Sequence, residues 1–305
     1  MFSSKHLLTT LIVILSSVNI FAVSPRIPEQ LILGGELGNS SASSKEDIEK
    51  IFPKLKSMGL NTVLMPVYWE LIEPQEGKFD FSLIDYALDT AEAVDIDVVL
   101  LWFGAWKNSM SCYAPAWVKI DTKRFPRSYT HEGKPLEILS AFSTNVLKAD
   151  QTAFVSLLKH LKGSYRLNRV KMIQIENEIG MLESARDHSA LADAAYSKGV
   201  PATLSKVLGV TPGTNWSCLS EFQDYADEMF MAWYYATYVE NLANNARNIL
   251  PNIPLYVNAA LDSRGRHPGQ YPSAGPLSRL SKIWKTGAPS VDFISPDIYD
   301  TPFAP

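Results

Sequence analysis

Cysteine is scarce in this chain, which contains only Cys112 and Cys218 among its 305 residues. Two cysteines are too few for the disulfide framework that stabilises small secreted domains. A single bridge between them and two unpaired thiols are both compatible with the sequence. Hydrophobic residues make up 46% of the chain, so one or two domains with a large apolar core can form without disulfides.

Strong charge and nucleotide-binding motifs are missing as well. The formal net charge of -4 does not suggest nucleic acid or an anionic membrane as a partner. No predicted strand is followed by a GxGxxG or P-loop signature. The scattered histidines His131, His160, His188 and His267 show no ligand spacing such as HExxH. We therefore expect no metal site and no cofactor.

The amino-terminal segment has the pattern of a secretory signal. A positively charged start precedes an apolar run at 7–21, and small residues follow at 22–24. The run is too short to favour a stable membrane span. We predict a signal peptide at 1–23 and a mature domain at 24–305. The protein would then be secreted or periplasmic, with no membrane attachment after cleavage.

Short apolar segments alternate with helical patterns from about residue 31 onward. Helix starts are predicted at Ser43 or Ser44, at Asp150, and at a capping box formed by Ser220–Gln223. Continuously apolar strands in repeated βα units indicate a parallel sheet. The predicted strands are 31–35, 61–68, 96–103, 170–175, 255–259 and 291–295.

Polar and aromatic residues follow six successive predicted strands, which favours a closed barrel over a doubly wound sheet. In a (β/α)8 barrel the loops after the strands build the active site. We therefore predict an α/β protein with a (β/α)8 TIM barrel, of which about the first six βα units are present. The strand-end residues are Glu36, Asn39, Tyr68, Trp69, Trp106, Lys107, Asn108, Asn177, Glu178, Asn258, Asp297 and Tyr299.

The segment Lys171–Gly180 contains the pattern most relevant to chemistry, because its apolar strand ends in Asn177 and Glu178. Partial burial raises the pKa of a glutamate and prepares it to donate a proton near neutral pH. Strand alternation would place Glu176 and Glu178 on one side, but the strand ends there, so alternation alone cannot decide between them. Glu178 is the better acid/base candidate. The alternative is that both glutamates are surface-loop carboxylates.

Three segments resemble known glycosidases. Gln174–Gly180 resembles the acid/base motif of β-galactosidases of glycoside hydrolase family 35. Gly59–Phe81 is similar to the strand-two signature of families 35 and 42, and Gly34–Leu37 resembles the first-strand motif. The resemblance implies a retaining (β/α)8 enzyme that cleaves terminal β-galactosyl groups from oligosaccharides or polysaccharides. It also implies Glu178 as the acid/base and Asn177 as the contact to the sugar 2-hydroxyl.

The sequence departs from this pattern in two places. Family 35 enzymes often carry a Glu-Trp pair after strand three, where this chain has Trp106-Lys107-Asn108, so Asn108 is a candidate replacement. The nucleophile of these enzymes is a glutamate at the end of strand seven, whereas Asp297 follows the sixth predicted strand. We therefore expect the nucleophile to lie outside this chain, as in a carboxy-terminally incomplete enzyme. The alternative is that the strand count is too high and Asp297 serves.

Further substrate contacts are predicted from position. Trp69 and Trp106 could form a sugar platform or pack in the core, and Glu36 and Asn39 could contact sugar. Tyr299 resembles the strand-six tyrosine that hydrogen-bonds the nucleophile, although a structural role is equally compatible. Glu73 is predicted to hold loop backbone amides instead. Two functional alternatives remain open, an endo-β-glycanase and a non-catalytic carbohydrate-binding fragment.

Overall fold

A computed structural model describes residues 30–38, 41–262 and 265–299. The predicted signal peptide and Asn39 lie outside the described residues, so both stay predictions. Among the residues that are described, no helix is long and apolar enough to cross a membrane. Both cysteines are free thiols in this structure.

Of the eight strands within the described residues, six form one parallel sheet in the order β1-β2-β3-β6-β7-β8. This chain-order succession of parallel strands is that of the first six units of a (β/α)8 barrel, as predicted. The alternative that the strand count was too high is wrong, because Asp297 ends the sixth strand of the sheet. The strands are β1 (Gly34–Glu36), β2 (Thr62–Tyr68), β3 (Asp97–Lys107), β4 (Arg127–Tyr129), β5 (Pro135–Leu139), β6 (Val170–Asn177), β7 (Leu255–Ala260) and β8 (Phe293–Asp297).

Helices connect the strands and cover the sheet. The first begins after Ser44, whose side chain accepts a hydrogen bond from the backbone N–H of Asp47, as predicted for an N-cap. The α-helices are α1 (Lys45–Ser57), α2 (Trp69–Ile72), α3 (Ser82–Ala93), α4 (Ala116–Ile120), α5 (Thr144–Lys162), α6 (Ala190–Tyr196), α7 (Ala202–Leu208), α8 (Gln223–Ile249) and α9 (Ser281–Gly287).

Two predicted helix starts are wrong. Helix α5 is capped by Ser143, whose hydroxyl accepts from the N–H of Val146, and Asp150 lies inside the helix, facing the core. Helix α8 follows Phe222 without a side-chain cap, because the Ser220 hydroxyl accepts from Phe222 instead. Ser143, about two helical turns earlier, thus takes the capping role that was predicted for Asp150.

The core lies on both faces of the sheet. Every residue of β3 after Asp97 is buried, as is every residue of β6 except Lys171. Helices α5 and α8 pack against each other as well as against the sheet. Since all six strands run in parallel, their carboxyl ends meet along one rim, and the candidate site lies there.

Candidate active site

The carboxyl end of β6 leaves the extended conformation at two glutamates. Glu176 has φ of 58° and Glu178 has φ of 45°, in the left-handed region that residues other than glycine adopt rarely. The simple alternation of side chains therefore breaks here. Glu176 is fully buried and Glu178 is 9% exposed, so the alternative that both are surface-loop carboxylates is wrong. Such strain persists only where the surroundings hold it.

Neighbouring strands hold the backbone of Glu178. Its N–H donates to Oδ1 of Asn258 on β7 at 2.8 Å, and its carbonyl accepts from the N–H of Ser109 at 3.1 Å. The amide nitrogen of Asn258 also donates to Oδ2 of Asp297 at 2.7 Å. One asparagine side chain thus links the backbone of Glu178 to the carboxylate at the end of β8.

The electrostatic surroundings suit a proton donor. Burial, followed by the hydrogen bond to Asp297 and the negative charge of Asp297, raises the pKa of Glu178, and Lys107 acts in the opposite direction, so that the pKa lies at about 7. Burial also raises the pKa of Glu36 against the lowering effect of Lys107. At neutral pH a large fraction of Glu178 therefore carries a proton.

The ammonium of Lys107 lies near the carboxyl groups of Glu178, Glu36 and Asp297. Lys107 ends β3, pairs with Asn177 across the ladder, and its ammonium donates to Oδ1 of Asn108. Burial lowers the pKa of Lys107, whereas the charges of Glu178 and Glu36 raise it. The lysine therefore lies within the field of two carboxylates that the sequence had already placed at the rim.

The structure brings most of the predicted site residues together. Glu36, Asn108 and Tyr299 lie near Glu178 or Lys107. Tyr299 is 81% exposed to solvent. Asn177 is buried, and its Oδ1 has no hydrogen-bond partner among the described residues. A buried acceptor without a donor is costly, so this oxygen is suited to accept from a ligand hydroxyl.

Trp69 and Trp106 are exceptions. Trp69 is fully buried, and its Nε1 donates to Glu73 at 3.0 Å. Trp106 is also fully buried and packs edge-on against Tyr238. Neither ring presents a face to a sugar, so the platform prediction is corrected in favour of core packing. Glu73 accepts from the N–H of Gly77 at 2.7 Å, which confirms its predicted role in holding loop amides.

A comparison with known families assigns this chain. The β-galactosidase model of glycoside hydrolase family 42 matches residues 39–217. The chain belongs to glycoside hydrolase family 42. The predicted likeness of Gly59–Phe81 to family 42 is thereby confirmed, whereas the resemblance of Gln174–Gly180 to family 35 stays a prediction.

Relatives of this family 42 chain are larger proteins. Over 152 residues it is 32% identical to a β-galactosidase from Xanthomonas manihotis. The matched segment covers 48% of this chain and 23% of that protein. It thus spans about a quarter of the length of that relative.

Solved structures support the fold of this family 42 chain. A catalytic mutant of Gan42B, a family 42 β-galactosidase from G. stearothermophilus, superposes with a TM-score of 0.64 at 20% identity, over 89% of this chain and 40% of that one. The β-galactosidase from the psychrophilic Marinomonas ef1 gives 0.62 at 14% identity, over 88% and 41%. At these identities the likeness shows the fold alone, which is a partial (β/α)8 barrel.

Sequence reasoning missed three polar residues that shape the site of this family 42 chain. Lys107 was named among the strand-end residues and in the departure from family 35 but was given no role, although a cation that ends an apolar strand is itself a signal. Asn258 was placed at a strand end without a role. Asp150 was read as a helix cap. Its contacts come from other elements, so no local pattern reveals them.

Proposed function

We propose that this family 42 chain carries the acid/base half of a retaining β-galactosidase that removes terminal β-galactosyl groups from β-linked oligosaccharides or polysaccharides. One observation carries the proposal: Glu178 directly follows the fourth strand of the sheet, at the rim, with a pKa of about 7. The β-galactosidases among its relatives supply the substrate class.

Glu178 would act twice. Its protonated form donates to the glycosidic oxygen as the bond to the leaving group breaks, and its carboxylate then takes a proton from the attacking water. The Lys107 ammonium stabilises the carboxylate formed in the first step, whereas Asp297 favours its reprotonation. Opposed influences of this kind keep the pKa near the working pH, where a group can serve as both acid and base.

Substrate contacts follow from the same geometry. The unpartnered Oδ1 of Asn177 would accept from the sugar 2-hydroxyl, and Glu36, Asn108 and Tyr299 would bind other hydroxyls. The likeness of 174–180 to the acid/base motif of family 35 supports a galactosyl substrate. The nucleophile is proposed to be a glutamate after a seventh strand, which trapping with a 2-fluoro galactoside and peptide mapping would identify.

Export is part of the proposal. The signal pattern at 1–23 supports a secreted or periplasmic enzyme. Sequencing the amino terminus of the exported protein would check this, with a start near residue 24 expected and retention of the apolar run as the contrary result.

Glu178→Gln in the natural gene product tests the acid/base role. Galactosides with poor leaving groups need the proton, so kcat/KM for them should fall by roughly 10²–10⁴-fold. Dinitrophenyl galactosides need little protonation, so their first step should be largely kept. Added azide, which needs no base, should accelerate their turnover and give a β-galactosyl azide.

The pH profile is the second readout of this variant. Since the protonated form of Glu178 is required, wild-type kcat/KM should fall as pH rises through about 7, and this limb should vanish in Glu178→Gln. Glu137→Gln, which changes an exposed carboxylate on β5, is the matched control. Equal loss for good and poor leaving groups, without azide rescue, would contradict the assignment.

A further inference from the structure

Asp150 is a carboxyl buried in the middle of the protein. It is 0% exposed inside α5. Its Oδ1 accepts from Nε1 of Trp102 on β3 at 2.9 Å, and its Oδ2 accepts from the hydroxyl of Tyr238 on α8 at 2.8 Å. Both oxygens are therefore occupied by neutral donors from two other elements.

Glu176 is a second fully buried carboxyl. It lies where the pairing between β3 and β6 shifts register. Trp102 pairs with Ile175 but Lys107 pairs with Asn177, so β3 bulges between these pairs. Glu176 fills the gap, since its Oε2 accepts from the N–H of Trp106 at 2.8 Å and its Oε1 from that of Ala105 at 3.3 Å. Its side chain thus replaces ladder partners that the bulge removes.

The two carboxyls face each other beside Gly104. A Cβ placed on Gly104 would lie 2.6 Å from Oδ1 of Asp150 and 2.7 Å from Oε1 of Glu176. These two oxygens therefore lie beside the same point. Of the two oxygens of Glu176, Oε1 accepts the longer hydrogen bond from the backbone of β3. Two ionised carboxylates in contact away from water repel strongly, so a proton between them is required.

We propose that Asp150 and Glu176 share one proton, carried on Oε1 of Glu176 and donated to Asp150, and that this acid–carboxylate pair positions Glu178. The second part rests on the function proposed for Glu178. Both residues are positioning residues, because they act through the backbone of the β3 bulge and have no exposed surface with which to touch a substrate.

The pKa directions agree with this proton position. Burial, followed by the charge of Asp150 and the hydrogen bond to it, raises the pKa of Glu176 well above its ordinary value. Burial raises the pKa of Asp150, while hydrogen bonds from Glu176, Tyr238 and Trp102 lower it. Burial raises the pKa values of Tyr238 and Glu73, and the negative charge of Asp150 in turn contributes to both increases.

The bulge in β3 fixes the positions of Lys107 and of the backbone of Glu178. It brings Lys107 into register with Asn177. The next two backbone N–H groups, of Asn108 and Ser109, then donate to the carbonyls of Asn177 and Glu178, both at 3.1 Å. A loosened bulge would therefore displace both the cation and the backbone of Glu178.

Kinetics of three variants of the natural gene product test the pair. Glu176→Ala should lower kcat by roughly 10²-fold for galactosides with poor leaving groups, with a smaller effect on dinitrophenyl galactosides and on KM. Glu176→Gln keeps a donor toward Asp150 and should restore most of this loss. Asp150→Asn should be more harmful than Glu176→Gln, because its amide nitrogen either faces the donor-only N–H of Trp102 or requires the Tyr238 hydroxyl to turn from donor to acceptor.

Two readouts do not depend on catalysis. A protonated carboxylic acid should be visible in the infrared carbonyl region at neutral pH in Glu178→Gln, which removes the proton of Glu178 itself, and should be absent when Glu176→Gln is added to that variant. Because the folded pKa of Glu176 is raised, its contribution to stability is lost as pH rises from its ordinary value of 4.5 through the folded pKa. Urea unfolding across this range should therefore show a smaller decline in Glu176→Gln.

The outcomes separate the two proposals. If the Glu178→Gln pattern fails while the infrared band and the stability difference persist, the proposed function is wrong and the shared proton stands. Absence of the band from Glu178→Gln overturns the shared proton. Equal tolerance of Asp150→Asn and Glu176→Gln overturns the position of the proton. Equal losses in Glu176→Ala for good and poor leaving groups overturn the positioning role.

Discussion

Gly104→Ala should strongly destabilise the protein, because the added methyl group has no room. Its Cβ would lie 2.3 Å from Nε1 of Trp102, 2.6 Å from Oδ1 of Asp150 and 2.7 Å from Oε1 of Glu176. These distances are far below van der Waals contact, and all three neighbours are fully buried. The methyl group must therefore push apart a tryptophan and two carboxyls that hydrogen-bond one another.

The cost follows from two contributions. Overpacking a dense core costs about 1–3 kcal/mol. Losing the hydrogen bond from Trp102 to the Asp150 carboxylate costs about 1.5–3 kcal/mol more, since one partner is charged. We expect the free energy of unfolding to fall by about 3–5 kcal/mol, which is at the upper end for a single substitution.

Urea unfolding of the natural gene product, followed by circular dichroism and tryptophan fluorescence, measures this loss. Gly163→Ala is the matched control, because its Cβ would meet only the carbonyls of His160 and Lys159 at 3.7 and 3.8 Å. The control should keep or slightly raise stability, by up to about 1 kcal/mol. Equal urea midpoints for the two variants would refute the reasoning about the shared space beside Gly104.

Two further predictions concern the rim. The pKa of Glu178 lies at about 7 because burial and Asp297 raise it and the Lys107 ammonium lowers it. Lys107→Met should therefore move the basic limb of kcat/KM up by about one pH unit. Lys107→Arg keeps the charge and should leave the limb in place, and an unmoved limb in both variants would count against this role. Asn258→Ala removes the acceptor of the Glu178 N–H and the donor to Asp297, so urea unfolding should show a loss of about 1–3 kcal/mol. Wild-type stability in Asn258→Ala would mean that the link between β7 and β8 carries no energy.

The strands and their polar ends could be predicted from sequence because both signals are local. Each buried strand is a continuous apolar run, and the carboxyl ends of parallel strands share one rim. Partial burial of a glutamate at such an end is enough to predict the raised pKa of Glu178.

The parts that failed depend on contacts between distant residues. Asp150 has the side chain of a good N-cap, but its partners Trp102 and Tyr238 lie 48 and 88 positions away. The orientations of Glu176 and Glu178 depend on positive φ values, which a bulge in another strand supports. A tryptophan near a strand end, such as Trp106, fits a sugar platform and a core equally well until its neighbours are known.

The strand order also indicates when, during folding, Glu178 gains the contacts that set its pKa. Every strand of the sheet after β1 pairs with one that precedes it in the chain, so the sheet can grow strand by strand from the amino-terminal side during synthesis. Glu178 is made with the fourth strand, but it gains Asn258 only when β7 docks and Asp297 only when β8 docks. The pKa of Glu178 therefore reaches its value in the folded protein only after β7 and β8 have joined the sheet.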